Sequence, residues 1–221
     1  MSYLEPIDRL VTDRHLLGSA FYKAWSKGDL TPDALKSYAR QYYKHVAAFP
    51  TYLSAVHSRT EDMATRKMIL ENLVEEEAGS PNHPELWLQF ANGMGTSNEE
   101  VMAEAAWPET KALVEAFKAA CEAGTVEGLA ALYAYESQIP AVCVSKIEGL
   151  QAHYGVTDAK TYRYFTDHLE ADEDHAATGR AWLEAHLTEE NAPRALAAVD
   201  QVTEALLAML DSVCTHHAIA A

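Results

Sequence analysis

The chain has 221 residues, 48% of them hydrophobic, and a formal net charge of −16. That apolar share supports a real core and argues against general disorder, while the acidic balance leaves no basic stripe for nucleic acid and disfavours an anionic membrane surface. Cys121, Cys143 and Cys214 are too few and too far apart for a disulfide framework or a zinc knuckle, and no signal-peptide pattern or bilayer-length apolar run occurs, so a cytoplasmic setting is expected.

No alternating strand pattern is present, so every element is expected to be helical. After a loose lead-in over residues 1–7, Asp8 is expected to cap a helix running to Lys27 and stopped by Gly28. Leu10, Leu17, Phe21 and Trp25 face inward there, with Tyr22 alongside. Thr31-Pro32 opens a second helix to about His57, with a kink expected at Pro50. Its inner stripe, Leu35, Tyr38, Tyr42, His45, Phe49 and Leu53, is rich in tyrosine. A third helix over 61–78 has Ile69, Leu73 and Glu76 on one face. Gly79-Ser80-Pro81 ends it, and a short helix over 84–92 opens beside His83.

Ser97 or Asn98 starts another short helix, and Pro108 sits in the first turn of one ending near Gly124. Thr125 begins a long helix to about Tyr154, in which Glu136 falls on an otherwise apolar stripe and Pro140 should kink the chain one turn later. Thr157-Asp158 caps a helix that contains YFTDHLEADEDHAATGRAW, residues 164–182. A last helix spans about 191–216. The expectation is one all-α domain, 1–221, built as a bundle of seven to nine helices.

The chemistry concentrates in the 164–182 stretch. His168, Asp172 and His175 stand at i, i+4 and i+7, stacked beside the inward residues Phe165, Leu169, Ala176, Gly179 and Trp182. Polar groups buried there need partners, and a metal suits two imidazoles and a carboxylate together. Adding Glu76, His83 and Glu136 gives three carboxylates and three imidazoles. That exceeds the needs of one tetrahedral zinc and suits two ions of the iron or manganese kind. Ferritin-like bundles use Glu-x-x-His pairs; this chain offers Asp172-x-x-His175 instead.

The set Glu76…His83, Glu136 and His168-x3-Asp172-x2-His175, carried on LENLVEEEAGSPNHPELW, YAYESQIP and TDHLEADEDHA, resembles the haem-oxygenase-like di-metal oxidases, which share the helical fold of the TenA and PqqC proteins. Within that group the chain is similar, over most of its length, to the family of the chlamydial protein associating with death domains. The resemblance implies two divalent metal ions, Fe/Fe or Fe/Mn, with O2 and an external reductant as co-substrates. It further implies synthesis of 4-aminobenzoate, the folate precursor, from the enzyme's own tyrosine, with a lysine as amino donor. Tyr22 matches the sacrificed tyrosine, Lys146 the lysine, and Tyr135 and Tyr164 the tyrosines lining the site. A consumed Tyr22 would permit one turnover per chain.

Plainer readings stand beside these. His45, set among tyrosines, is expected to be a satisfied core histidine. Glu75 and Glu77 read as solvated surface. Periodicity alone makes Tyr22, Tyr135 and Tyr164 packing residues and leaves Lys146, ten residues past Glu136, on an exposed or shared helix side. Cys143 reads as a small core residue; as a nucleophile it would point to a TenA-like hydrolase of thiamin-type pyrimidines. A related oxidase acting on an exogenous fatty acid or amino acid would share every metal ligand. A non-enzymatic interaction protein is the remaining alternative. A homodimer fits the acidic surface and long final helix, and the electron donor stays open.

Overall fold

The computed structural model describes residues 2–220, except the side chains of residues 170, 171 and 173. Among the described residues all regular structure is helical: α1 (Glu5–Asp13), α2 (Ala20–Lys27), α3 (Pro32–Arg59), α4 (Met63–Ala78), α5 (His83–Gly93), α6 (Asn98–Ala103), α7 (Pro108–Ala123), α8 (Thr125–Glu136), α9 (Ile139–Ala152), α10 (Ala159–His186) and α11 (Ala192–His216). None of these helices is long and apolar enough to cross a membrane.

Most boundaries follow from local chemistry. The Thr31 hydroxyl accepts from the Ala34 amide at the start of α3. Asn82 and Glu85 form a reciprocal capping box that opens α5 at His83, and Ser97 and Glu100 do the same for α6. Asp158 caps α10. Gly28 closes α2 in the left-handed region at φ 75, which glycine adopts without a Cβ penalty. Pro50 lies inside α3, and the helix continues to Arg59.

Two of the predicted helices are each divided, which raises the number of segments to eleven. The first is interrupted by a 3-10 turn at Leu16–Gly18, and Ser19 recaps the chain by accepting from the Tyr22 amide. Asp8 does not cap it; the helix begins earlier, with Pro6 in its first turn, and Asp8 instead takes the Tyr133 hydroxyl and Arg180. The lead-in is likewise tighter than expected, since Leu4 and Ile7 are buried in the core; Met1 lies outside the described residues. The second division falls immediately after Glu136, where the expected kink at Pro140 is replaced by a break at Ser137-Gln138. The Gln138 amide joins both divisions: its Oε1 accepts from the Leu16 amide at 2.8 Å and its Nε2 donates to the Ala134 carbonyl.

Helix α10 packs against α5, α8 and α9, and α3 against α4, α5 and α7; α11 covers α7 and α8, with α1 and α2 at its flank. Phe21, Trp25, Tyr38, Trp87, Phe90 and Phe117 are among the largest wholly buried side chains of one contiguous core. Three indoles are also pinned by hydrogen bonds. Trp25 donates to the Ser145 carbonyl, Trp87 to the Ala39 carbonyl and Trp182 to the Thr65 hydroxyl. The last bond ties α10 to α4, two of the helices whose polar residues meet in the interior.

Candidate active site

The six candidate ligands gather as two triads. The ligating atoms of Glu76, His83 and His168 lie within 4.8 Å of one another, and so do those of Glu136, Asp172 and His175. The helices explain this convergence. Glu76 is the last inner residue of α4, and His83 opens α5 after the break. Glu136 ends α8, and α10 runs past both groups, giving His168 to one and Asp172 and His175 to the other. Glu75 and Glu77 are exposed, whereas Glu76 is buried.

In the first triad the His168 ring is oriented by its Nδ1, 2.7 Å from the Tyr164 carbonyl oxygen. A carbonyl can only accept, so Nδ1 carries the proton and Nε2 keeps a free lone pair. Burial, with His83 nearby, pushes the His168 pKa down to about 3, so the ring stays neutral. His83 Nδ1 lies 3.0 Å from Glu76 Oε2, off the hydrogen-bonding direction. Burial opposes its protonation, but the Glu76 carboxylate outweighs that and raises its pKa.

The second triad strains harder against its protons. Burial, followed by the neighbouring Asp172 charge, pushes Glu136 up to about 8. Burial lifts Asp172 to about 6, and its Oδ2 has no hydrogen-bond partner. His175 is raised to about 9, because Asp172, Glu136 and Glu75 together overcome its burial. An orphaned carboxylate oxygen beside a second carboxylate and an imidazole is a donor set that a cation would satisfy. Together the triads could hold two such ions.

A small chamber of about 10 Å³, room for about one water molecule, lies among Glu76, His168, Asp172, Tyr135, Tyr164 and His45. Tyr135 and Tyr164, matched by resemblance to site-lining tyrosines, thus both reach it. The Tyr42 hydroxyl donates to the Tyr135 hydroxyl at 3.1 Å, and the Tyr42 ring stands 5.4 Å from that of Tyr38. Trp87 forms a second connection, 4.9 Å from Tyr164 and 5.2 Å from Tyr42.

Tyr38 leads on to Lys146 and Tyr22. Lys146 is wholly buried, contrary to the exposed position that periodicity allows. Its Nζ lies over the rings of Trp25 (3.8 Å), Tyr38 (3.9 Å), Phe21 (4.4 Å) and Tyr22 (4.7 Å), with no hydrogen-bond partner. The break after Glu136 accounts for this, because α9 restarts with its own phase and carries Lys146 toward α2. Desolvation lowers the amine well below its ordinary pKa, which favours the neutral form with its nitrogen lone pair. Burial raises the Tyr22 phenol, so it is protonated at neutral pH. Cys143 is buried and its thiol is pushed well up by desolvation, so it is no ready thiolate for the hydrolase reading.

Two residues escaped the sequence reading. Asn72 is buried and donates from Nδ2 to Glu136 Oε1 at 2.7 Å. Its position four residues before Glu76 on the inner face of α4 was the available signal. Beyond it a cavity of about 250 Å³, walled by Leu53, Ile69 and Leu132, reaches Asn72, Glu136 and His175. The second is His45, expected to be a satisfied core histidine but left with an unpartnered Nε2.

The sequence model of the iron-containing redox enzymes matches residues 36–208. The chain belongs to that family. This redox enzyme is 44% identical over 213 residues to the 4-aminobenzoate synthase of Chlamydia muridarum, covering 96% of this chain and 90% of the relative. A solved domain with a heme oxygenase-like fold from Shewanella denitrificans superposes with a TM-score of 0.82 at 17% identity, covering 97% of this chain and 91% of that one. A TenA homologue from Pseudomonas syringae gives 0.81 at 15% identity, with 96% and 91% covered. The expected haem-oxygenase-like, TenA-type architecture is therefore the observed one.

Proposed function

We propose that this chain is a 4-aminobenzoate synthase that builds its product from the side chain of Tyr22. Glu76, His83 and His168 would hold one divalent ion and Glu136, Asp172 and His175 the other. When bound, an Fe/Fe or Fe/Mn pair would supply the reduction of O2, and hence the oxidising power that acid–base side chains lack. The Tyr22 ring with its Cβ already has the carbon skeleton of a benzoate. Four changes convert it: Cα–Cβ breaks, Cβ rises to the carboxyl level at the expense of O2, the Lys146 Nζ–Cε bond breaks, and that nitrogen replaces the phenol oxygen, which leaves as water. Tyr135 and Tyr164 line the chamber, and Tyr42, Trp87 and Tyr38 lead from them toward Tyr22, a path suited to passing electrons.

The observation that carries the reading is the Lys146 amine. A fully buried lysine nitrogen without a hydrogen-bond partner, met only by aromatic faces and 4.7 Å from the Tyr22 ring centroid, is a costly choice for packing alone. As a neutral amine it has the lone pair that bonding to a ring carbon requires. The four rings around it exclude water, which would otherwise compete as nucleophile. The name of the 44%-identical relative supports the same product.

The test uses protein in which lysine alone carries 15N, loaded with iron or iron and manganese, then given reductant and O2. Labelled 4-aminobenzoate and a mass loss in the peptide containing Tyr22 are expected, with at most one product per chain. A Tyr22→Phe variant that makes product at full yield would remove the self-sacrifice claim. The 250 Å³ cavity that reaches Glu136 and His175 supports a second reading, an oxidase acting on an exogenous fatty acid or amino acid. Repeated turnover with an added substrate, and an intact Tyr22, would favour it.

A further inference from the structure

An open groove of about 480 Å³ runs between α3 and α7, away from the two triads. Lys44, Lys111 and Lys118 stand on its walls, against Glu115 as the one acidic wall residue. This is a local exception on a chain of net charge −16. Most arginines are matched to neighbouring carboxylates, whereas these three lysines form no ion pair among the described residues. Lys44 is held in place by donating to the Val101 carbonyl at 2.7 Å, and Lys111 and Lys118 are exposed. Other openings carry the opposite sign. The 250 Å³ cavity is rimmed by exposed Glu71, Glu75 and Asp174, and a groove between α1 and α11 sets Glu5, Asp13 and Asp200 against Arg9.

Behind the basic groove lies an aromatic layer. Thr51 and Lys118 line the groove, and their chain neighbours Tyr52 and Phe117 are wholly buried. Those two rings stack at 5.3 Å with 16° between their planes. Phe117 is 4.9 Å from the His45 ring, and His45 is 5.1 Å from that of Tyr135. Tyr135 in turn shares the small chamber with Glu76, His168 and Asp172. Electron tunnelling weakens steeply with distance, so a donor seated in this groove has a short, well-packed route inward.

We propose that the α3/α7 groove docks an acidic electron-carrier protein, which delivers single electrons to the metal pair. Each encounter oxidises the carrier by one electron and reduces one ferric ion to ferrous, so two encounters reduce an Fe/Fe pair. The inference rests on the metal-dependent reading of the site, because the metals are the acceptor. Positive charge steers an acidic partner and fixes its orientation. Electron-transfer encounters bury little area, so a short groove with three lysines is of the right scale.

The probe is a reduced plant-type [2Fe–2S] ferredoxin, an acidic one-electron donor, mixed without oxygen with the full chain loaded with ferric iron. Its reoxidation, followed by stopped-flow absorbance, should slow steeply as salt is raised. Lys111→Glu combined with Lys118→Glu should lower the rate constant at low salt about tenfold or more and remove most of the salt dependence. Lys67→Glu combined with Lys160→Glu makes the same change in net charge on other faces and should leave the rate within about twofold. Dithionite, a small reductant, should reduce the iron at similar rates in all three proteins, with equal iron content. Equal ferredoxin rates in wild type and the groove variant overturn the docking site, as does an equal fall in both variants. So does a wild type whose iron accepts electrons from dithionite but none from ferredoxin; in each case the metal reading stands. A wild type that binds no iron overturns the metal reading and the inference with it. Metal-free protein tests the surface itself: oxidised ferredoxin, which is paramagnetic on warming, should broaden the amide signals of residues 44–51 and 110–118. Undisturbed signals there overturn the proposal.

Discussion

Two buried regions of this molecule solve the same electrostatic problem in opposite ways. Around the triads, three carboxylates and three imidazoles are pooled, and Glu136 is raised to about 8 while His168 falls to about 3. Around Lys146 a lone amine sits among aromatic faces, and burial disfavours its charge. Burial alone therefore says little about purpose; the company a buried group keeps says more. Pooled acids and imidazoles invite a cation in place of their protons, whereas an isolated neutral amine offers a lone pair.

The largest expected effect would break the comparison on the metal side. His168→Ala removes an imidazole whose orientation is already set by the Tyr164 carbonyl. Metal content measured by elemental analysis should drop by at least one ion per chain, and product yield more than about 100-fold, given that even outer-sphere partners of a metal count for 10–100-fold. Retention of both metal and yield would reassign that triad to structure.

A second experiment sharpens the contrast, because the two regions give stability slopes of opposite sign in metal-free protein. Glu136 is raised from 4.5 to about 8. Between those values the folded chain holds a proton that the unfolded chain has lost, so this contribution falls as pH rises. Lys146 is lowered below 10.5. Between its folded pKa and 10.5 the unfolded chain holds the extra proton, so this contribution rises with pH. Denaturant titrations across pH should show Glu136→Gln removing a downward slope and Lys146→Met removing an upward one. Lys146→Met should also gain ~1 kcal/mol or more at pH 7 by abolishing the desolvation cost, while metal content stays unchanged. A loss of stability in that variant would show that the amine is better satisfied than its surroundings indicate.

The smallest effect concerns the link between Asn72 and Glu136. Asn72→Ala removes the 2.7 Å hydrogen bond to Oε1 and should cost ~1–3 kcal/mol of stability. If metal content then falls in step with stability, Asn72 orients the ligand as well as supporting the fold.

Much of this was legible from the residues. Helical period brought Glu76, Glu136, His168, Asp172 and His175 inward, and caps such as Thr31, Ser97 and Asp158 marked the starts where the helices begin. The fate of Lys146 was not legible. Helical phase can be carried only through an unbroken helix, and at the stop at Ser137-Gln138 the Gln138 side chain bonds Leu16, 122 residues away in sequence. His45 escaped for a related reason: its stripe of tyrosines announces a core position, but only the fold reveals that Tyr52 meets one ring nitrogen and nothing meets the other. Asn72 was passed over because an amide on a helix face reads as surface until its neighbours are known.

The enclosure of Lys146 has a consequence for the waiting enzyme. A deprotonated amine is the form that reacts with sugars, aldehydes and dissolved carbon dioxide, and such reagents mark surface lysines over a protein's lifetime. Behind Trp25, Tyr38, Phe21 and Tyr22 the nitrogen is kept from them. In the single-turnover synthase proposed above, those four rings would serve as packaging: they would preserve an unused charge of reactivity through storage, so that ageing of the protein before metals and oxygen arrive need not spoil its only shot.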